Sequence, residues 1–158
     1  MKQRELMYAG KAKTVYRTDT PGELIVQFRD DITAFDGGKK DVLADKGACN
    51  ARVSAQVFGY LETNGVRTHF LRMLDPHRML VRALDMMPLE VIIRNIAAGS
   101  MIRNFPVEEG TPLNPPVIVI DYKDDARHDP MLNDDLIIAL GLLDSAALAE
   151  VKAIALRI

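Results

Sequence analysis

Residues 86–100 read M-M-P-L-E-V-I-I-R-N-I-A-A-G-S and set a buried-strand pattern directly against an anion-binding pattern. The β-branched run at residues 91–93 is typical of a covered strand. Arg94 follows this run, and its planar guanidinium matches the oxygens of a phosphate or a carboxylate. The Gly99-Ser100 step can bring backbone amides and a hydroxyl to the same oxygens. The pattern predicts a strand that delivers an oxyanion site. The alternative is an interior strand that ends in a surface arginine and a glycine turn.

The same segment resembles, position for position, the signature of the SAICAR synthetase family, which are ligases of purine biosynthesis. That signature is two apolar residues, Pro, apolar, Glu, any residue, two apolar, Arg, three variable residues, a small residue, Gly and Ser. Further similarities between residues 8 and 131 extend the resemblance over essentially the whole chain. The resemblance implies an α+β fold with a sheet-rich N-terminal lobe, residues 1–84. A second, incomplete α+β lobe, residues 85–158, would clamp ATP against the first.

Composition excludes several classes of protein. A chain of 158 residues can bury roughly 68–70% of its unfolded surface, and 48% hydrophobic with 27% charged residues is typical of a globular protein. The net charge of −2 gives no general attraction to nucleic acid or to an anionic membrane. The charged start precedes no apolar signal segment, and no run is long enough to span a membrane, so we expect a cytoplasmic protein. Cys49 is the only cysteine, and we expect a small buried or half-buried apolar role for it rather than a reactive thiol.

The first third of the chain predicts an antiparallel meander. β-Prone segments at residues 6–9, 14–17 and 24–28 are separated by residues 10–13 and by the turn signal D-T-P-G at residues 19–22. Each connection is too short for anything but a turn. Strand, turn and strand therefore repeat in sequence.

The next segments predict a loop, a helix and two strands. Residues 30–47 are charged and lack periodicity, which indicates a long loop of a kind that is commonly functional. Strands are expected at residues 66–73 and 79–84, and residues 84–88 are a plausible hinge between lobes. The helix between them, ended by an Asn-Gly pair, has one apolar stripe: Ala51, Ala55, Phe58 and Leu61.

Prolines and aspartates dominate the region after the signature. The prolines between residues 106 and 116 argue against a long helix or a central strand there, and a strand is expected at residues 117–120. Residues 124–135 predict a polar loop. Helices close the chain, with Ser145 as a candidate N-cap for the last one. The apolar stripe of that helix is Leu148, Val151, Ala155 and Ile158.

Residues 10–16, G-K-A-K-T-V-Y, place two lysines on a tight connection between two strands. This suits a polyphosphate, but a solvated lysine turn is common, and the Walker pattern G-x-x-x-x-G-K-[ST] is absent. SAICAR synthetases carry a very similar G-K-x-K segment over the phosphates of ATP, followed by a residue that packs on the adenine. The resemblance therefore implies these nucleotide-binding positions: Gly10, Lys11, Ala12, Lys13, Val15, Met86 and Lys123.

The resemblance also implies five substrate-binding positions: Asp36, Glu90, Arg94, Ser100 and Asp129. Arg94 and Ser100 stand where the family holds the 5′-phosphate of its ribonucleotide. Asp36 can accept hydrogen bonds from a polar ligand or form an Asx turn with its own backbone. Glu90 either contacts a substrate ring or pairs with Arg94 as a structural ion pair. Asp129 is a candidate for the amine or hydroxyl side of a substrate.

We assign no catalytic residue and no metal ligand. His128 lies beside an Asp-Pro pair, where a histidine is usually structural or exposed. His69 and His77 have no cysteine or histidine partners at metal-ligand spacing.

The implied reaction joins 5-amino-1-(5-phosphoribosyl)imidazole-4-carboxylate to the amine of L-aspartate, with ATP and Mg²⁺, and gives SAICAR, ADP and phosphate in de novo purine biosynthesis. A homo-oligomer is compatible with the sequence. The alternatives are a non-catalytic nucleotide-binding fragment and a kinase-like phosphotransferase, although H-R-D and D-F-G motifs are absent. The family continues past a position like Ile158 with segments that supply metal and substrate ligands. We therefore expect little turnover from residues 1–158 alone.

Overall fold

The structure is a computed structural model that describes residues 2–34 and 39–158. The chain divides into two compact units, Met1–Asp85 and Met86–Ile158. Both units combine strands with helices, so the fold is α+β as expected. Each unit has its own hydrophobic core, and each is described by itself below.

An antiparallel sheet dominates the first unit. Its strands follow the order β1-β2-β3-β7-β6, and every neighbouring pair is antiparallel. The predicted meander is thus confirmed, since the first three strands pair in sequence. The elements of this unit are β1 (Gln3–Ala9), β2 (Lys13–Thr18), β3 (Glu23–Phe28), β4 (Asp31–Ala34), β5 (Lys39–Val42), α1 (Lys46–Thr63), β6 (Phe70–Asp75) and β7 (Arg78–Arg82).

The prediction of a continuous loop over residues 30–47 was wrong. Strands β4 and β5 form an antiparallel pair there, with Asp31 opposite Val42, and α1 begins at Lys46. The side chains whose burial is described on these strands, at positions 31, 32, 41 and 42, are not buried, so they leave no apolar alternation in the sequence. Val42, for example, is 69% exposed.

Helix α1 packs its apolar stripe on the sheet, as its periodicity predicts. Ala51 is fully buried, Phe58 packs against the same cluster, and the helix ends at Asn64 as expected. Cys49, however, is exposed, which corrects the expected burial. Position 49 lies midway between the buried Gly47 and Ala51, about 200° around the helix from each. The core of this unit contains Val26, Phe28, Ala51, Met79 and Val81.

Gly47→Ala should destabilise the first unit by about 1–3 kcal/mol, because a Cβ at position 47 would lie 2.6 Å from the carbonyl oxygen of Phe28. It would also approach Asp30 Oδ1, which accepts a hydrogen bond from the Gly47 amide at 2.7 Å. Gly59→Ala on the same helix is the matched control, since a Cβ there meets nothing within 4 Å. Thermal denaturation should place Gly59→Ala at or above the wild type. Equal melting temperatures for the two variants would refute the steric argument.

The second unit is a three-stranded antiparallel sheet with its last two helices packed on one face. The strand order is β10-β9-β8. In the core, Ile120 of the central strand meets Ile137 and Leu148 of two helices. The elements of this unit are β8 (Leu89–Ile96), α2 (Ser100–Asn104), β9 (Pro112–Tyr122), a 3₁₀ turn (Asp125–Arg127), β10 (Met131–Leu132), α3 (Asp134–Ala139) and α4 (Ser145–Arg157).

Strand β9 extends back to Pro112, further than expected, but its proline-containing part pairs with β8 alone, because β10 meets β9 only at Ile120 and Asp121. Pro112 lies opposite Ile96 and Val117 lies opposite Arg94, so the register shifts between these two pairs. The prolines between them occupy the irregular part of the ladder, where no donor is required. The predicted strand at residues 117–120 is therefore only the regular end of a longer one.

Two further boundaries differ from the prediction. Residues 124–135 are not a plain loop, because they contain the 3₁₀ turn, β10 and the start of α3. The N-cap of α4 is Asp144 rather than Ser145, and its carboxylate accepts the Ala147 amide at 2.8 Å. Asp and Ser are comparable caps, so the pattern alone does not separate neighbouring positions. The predicted stripe of α4 is buried at Leu148, but Ile158 is 71% exposed.

Candidate functional site

One face of the β8–β9 ladder is polar at both ends and apolar in the middle. Directly opposed residues of antiparallel strands share a face, so pairs that enter the core alternate with pairs that do not. Lys123 lies on the same face as the pairs that do not enter the core. Its backbone amide donates to Pro88 at 2.9 Å, and its Nζ lies 3.7 Å from Glu90 Oε2. We call this surface the polar face, formed by Glu90, Ile92, Arg94, Val117, Val119, Asp121 and Lys123.

Arg94 and Ser100 are in direct contact at one end of the polar face. Arg94 Nη2 donates to Ser100 Oγ at 2.9 Å, and Nη1 donates to the Ala98 carbonyl at 3.2 Å. Gly99 has a φ of 60°, a left-handed conformation that favours glycine and lets the chain turn back toward the strand. A guanidinium has five N–H donors, so Arg94 keeps donors for an anion beside the Ser100 hydroxyl.

Lys123 is surrounded by carboxylates at the other end of the polar face. Its ammonium donates to Asp129 at 2.6 Å and to Asp125 at 3.3 Å, and Glu90 lies 3.7 Å away. The hydrogen bonds to Asp129 and Asp125 raise the pKa of Lys123 above its usual range. Lys123 is therefore a fixed cation at this end of the sheet.

Asp129 and Glu90 both face Lys123. Asp129 Oδ1 also accepts the backbone amide of Asp124 at 2.8 Å, which ties the 3₁₀ turn to the strand end. Glu90 does not pair with Arg94 in the described part of the chain, which corrects the ion-pair alternative. Four residues along a strand separate their Cα atoms by about 13 Å.

Asp121 belongs to the same face, although no motif in the sequence marked it as a site residue. It lies directly opposite Glu90 in the ladder and is half-buried. Burial, Glu90 and Asp129 raise the pKa of Asp121, while Arg94 and Lys123 act in the opposite direction. The i, i+2 spacing from Lys123 was the signal that could have found it.

Arg29 donates hydrogen bonds to the lysine turn at residues 10–13, and no motif in the sequence marked it as a site residue. Arg29 Nη2 donates to the carbonyls of Gly10 at 2.6 Å and Lys11 at 3.0 Å, and its amide donates to Ala12 at 2.9 Å. The Lys13 carbonyl accepts the Gly10 amide at 2.9 Å. All four carbonyl oxygens of the turn are therefore bound by donors of the protein.

The remaining predicted positions do not contact the polar face or the lysine turn through any described hydrogen bond or ion pair. Val15 is half-buried and packs against the core of the first unit, and Met86 is 82% exposed. Asp36 lies outside the described residues. His128 is exposed and adopts a φ of 57° at the end of the 3₁₀ turn.

A metal cluster is absent from residues 2–34 and 39–158. No three His, Cys, Asp or Glu side chains are grouped there so that they could hold an ion. The carboxylates that meet at the end of the polar face meet around a lysine instead. None of the helices in these ranges is long and apolar enough to cross a membrane.

Comparison with known proteins identifies the family. The sequence profile of SAICAR synthetase matches residues 6–158. A phosphoribosylaminoimidazole-succinocarboxamide synthase of Methanoregula boonei is 69% identical over all 158 residues. The chain belongs to the SAICAR synthetase family. It spans 62% of the length of the Methanoregula protein and 66% of a relative from Methanoculleus marisnigri that is 61% identical.

Solved structures agree with the fold. The crystal structure of phosphoribosylaminoimidazole-succinocarboxamide synthase from Ehrlichia chaffeensis has a TM-score of 0.91 at 36% identity, over 97% of this chain and 65% of that one. A SAICAR synthetase in complex with ADP has a TM-score of 0.88 at 41% identity, over 97% and 64%. The expected SAICAR synthetase-like α+β fold is confirmed.

Proposed function

We propose that this chain forms the phosphate-binding and ribonucleotide-binding part of an ATP-dependent ligase. The reaction joins 5-amino-1-(5-phosphoribosyl)imidazole-4-carboxylate to the amine of L-aspartate in purine biosynthesis. The proposal for the whole protein includes ATP, Mg²⁺ and a cytoplasmic location.

The single observation that carries the proposal is the layout of the polar face. Arg94 and Ser100 form a proposed anion-binding site at one end, and the ammonium of Lys123, held by hydrogen bonds, lies at the other. The Lys123 backbone is bonded to Pro88, six residues of strand from Arg94, which is about 20 Å. The Lys123 ammonium reaches to within 3.7 Å of Glu90, which is four residues, or about 13 Å, from Arg94. The half-buried Ile92 and Val119 lie between them. The imidazole carboxylate ribonucleotide has the same order of groups: a phosphate, a ribose with a flat ring, and a carboxylate.

The proposed reaction depends more on cations placed near the reacting phosphoryl group than on a nucleophilic side chain. A carboxylate is a poor acyl donor because oxide is a prohibitive leaving group. ATP therefore transfers its γ-phosphoryl group to a carboxylate oxygen, and ADP leaves. The aspartate amine then attacks the acyl carbon, the amide C–N bond forms, the C–O bond to phosphate breaks, and the amine loses a proton. Fixed cations that neutralise the transferring phosphoryl group suit this sequence.

Lys123 can contribute to this step directly. An ammonium has three N–H donors, and Asp129 and Asp125 accept two of them. Glu90 lies 3.7 Å away, beyond hydrogen-bond distance, so the third donor would be available to the carboxylate of the ring. The aspartates would thus orient Lys123 and keep it charged while it holds the group that is phosphorylated.

The lysine turn fits the phosphates of ATP. Carbonyl oxygens repel a phosphate, but in this turn Arg29 and the Gly10 amide bind all four of them. The turn can therefore offer the ammonium groups of Lys11 and Lys13 to an anion, and these groups supply charge neutralisation when ATP is bound. No set of described residues fits Mg²⁺ in the same way, so Mg²⁺ enters the proposal only for the whole protein.

NMR titration of the ¹⁵N-labelled chain tests the ribonucleotide part of the proposal, since it registers weak binding residue by residue. The imidazole ribonucleotide should shift both ends of the polar face. Ribose 5-phosphate alone should shift Ser100, and imidazole carboxylate alone should shift Lys123. Shifts from the half-ligands that coincide at one end would contradict the proposed orientation. A chain that binds nucleotide but neither half-ligand would support a nucleotide-binding fragment.

Lys11→Ala and Lys13→Ala should each weaken ATP binding while the fold persists. Surface substitutions usually change stability by less than about 0.5 kcal/mol. Lys13 is expected to lose up to about 1 kcal/mol, because its Nζ lies 5.0 Å from the centroid of the Phe28 ring. Calorimetry and thermal denaturation measure the two effects, with the exposed Lys2→Ala as control. Wild-type ATP affinity in the Lys11/Lys13 double variant would identify the turn as merely solvated.

A further inference from the structure

Asp121 is a half-buried carboxylate without a side-chain partner among residues 2–34 and 39–158. No hydrogen bond or ion pair within these ranges reaches its oxygens, whereas Asp129, Asp125 and Glu90 all contact Lys123. A partly buried carboxylate that lacks a donor loses hydration without compensation. Such a group on a proposed binding surface is free to accept a hydrogen bond from a donor of the ligand.

The surroundings of Asp121 restrict that ligand group to a hydrogen-bond donor. Burial raises the pKa of Asp121, and the negative charges of Glu90 and Asp129 raise it further. Glu90 lies directly opposite Asp121 in the ladder. A ligand carboxylate placed here would add another negative charge. An amino group would instead donate to Asp121 without that repulsion.

We propose that Asp121 accepts a hydrogen bond from the exocyclic amino group of the imidazole ribonucleotide. This inference rests on the proposed function and adds a specificity-determining residue to it. The amino group and the carboxylate occupy adjacent ring carbons. Asp121 and Lys123 are alternate residues on one face of a strand end, with Cα atoms roughly 7 Å apart. Asp121 would accept from the amino group while Lys123 donates to the carboxylate beside it. The two contacts together would fix the orientation of the ring.

A double-mutant cycle between protein and ligand tests this contact. The ligands are the amino-imidazole carboxylate ribonucleotide and its analogue without the amino group, titrated by NMR into the full 158-residue chain. The proteins are the wild type, Asp121→Val, Asp121→Asn and Glu150→Gln. Glu150 is an exposed residue of α4 and is the charge-matched control.

The wild type and Glu150→Gln should bind the amino ligand about tenfold more tightly than the analogue, which is the usual scale for a hydrogen bond to a charged group. Asp121→Val should bind both ligands equally, and Asp121→Asn should keep part of the preference because it retains an acceptor oxygen. A tenfold preference that persists in Asp121→Val would overturn the proposal, as would equal binding by the wild type. If Asp121→Val does not fold, the wild-type preference and the Asn variant decide. Failure of the wild type to bind either ribonucleotide would instead refute the proposed function, and this inference with it.

Discussion

Arg94→Lys should weaken binding of the imidazole ribonucleotide by about 10- to 100-fold, on the scale of 1.5–3 kcal/mol for hydrogen bonds to a charged group. The guanidinium of Arg94 performs two tasks at once. It holds the Ser100 hydroxyl at 2.9 Å and the Ala98 carbonyl at 3.2 Å, and it offers its remaining donors to the anion. A lysine ammonium is a point charge and cannot reproduce this fork.

The same substitution should leave ATP affinity unchanged, since the lysine turn proposed to bind ATP does not include Arg94. Arg103→Lys is the matched control, because Arg103 is exposed on α2, the helix that begins at Ser100. Calorimetric titration with each nucleotide separates the two affinities. If Arg94→Lys and Arg103→Lys bind the ribonucleotide equally well, the phosphate contact must lie elsewhere.

Much of this site could be predicted because its residues are close in sequence. The contact between Arg94 and Ser100 spans six positions, and a strand followed by a Gly-Ser step already indicates it. The alternation Glu90, Ile92, Arg94 likewise predicts which side chains share a face once the segment is recognised as a strand. Local spacing and local geometry agree here, so the pattern is sufficient.

Arg29 and Asp121 could not be found in the same way. Arg29 supports a turn whose first residue lies 19 positions earlier, and only the pairing of β2 with β3 brings the two together. Asp121 is recognised as a site residue only because it lies opposite Glu90, 31 residues away, in the register of β8 and β9. In both cases the information is in strand pairing, which no single segment contains.

The proline-rich strand β9 was predicted too short, because a rule drawn from composition was applied without knowledge of its neighbouring strands. Proline lacks an amide donor, and the rule that keeps it out of central strands is sound for a regular ladder. Strand β9 avoids the conflict because its proline-containing part pairs with β8 alone and shifts register between the pairs Arg94–Val117 and Ile96–Pro112. Such irregularities are set by the neighbouring strand, so composition alone predicts too short an element.

Ligase turnover by residues 1–158 alone should be strongly reduced compared with a chain that also contains the further length of a relative. The chain spans 62–66% of its curated relatives, and its described residues contain no group that could hold a metal ion. Phosphoryl transfer depends on neutralising the transferring charge, and removal of even one preorganised donor costs about 10²–10³-fold in rate. We therefore expect the chain alone to be at least about 10³-fold slower than a whole protein.

A hybrid provides the comparison: residues 1–158 followed by the part of the Methanoregula boonei relative that lies beyond the match. ADP release should require the imidazole carboxylate, L-aspartate and Mg²⁺ together in the hybrid, and Arg94→Lys in that hybrid should reduce it. ADP release that needs neither the carboxylate nor aspartate would favour a phosphotransferase acting on another acceptor. Turnover by residues 1–158 comparable to that of the hybrid would show that the acidic ligands lie within this chain. The aspartates of residues 124–135 would then be the first to substitute, because they already surround Lys123 at the end where the carboxylate is expected to bind.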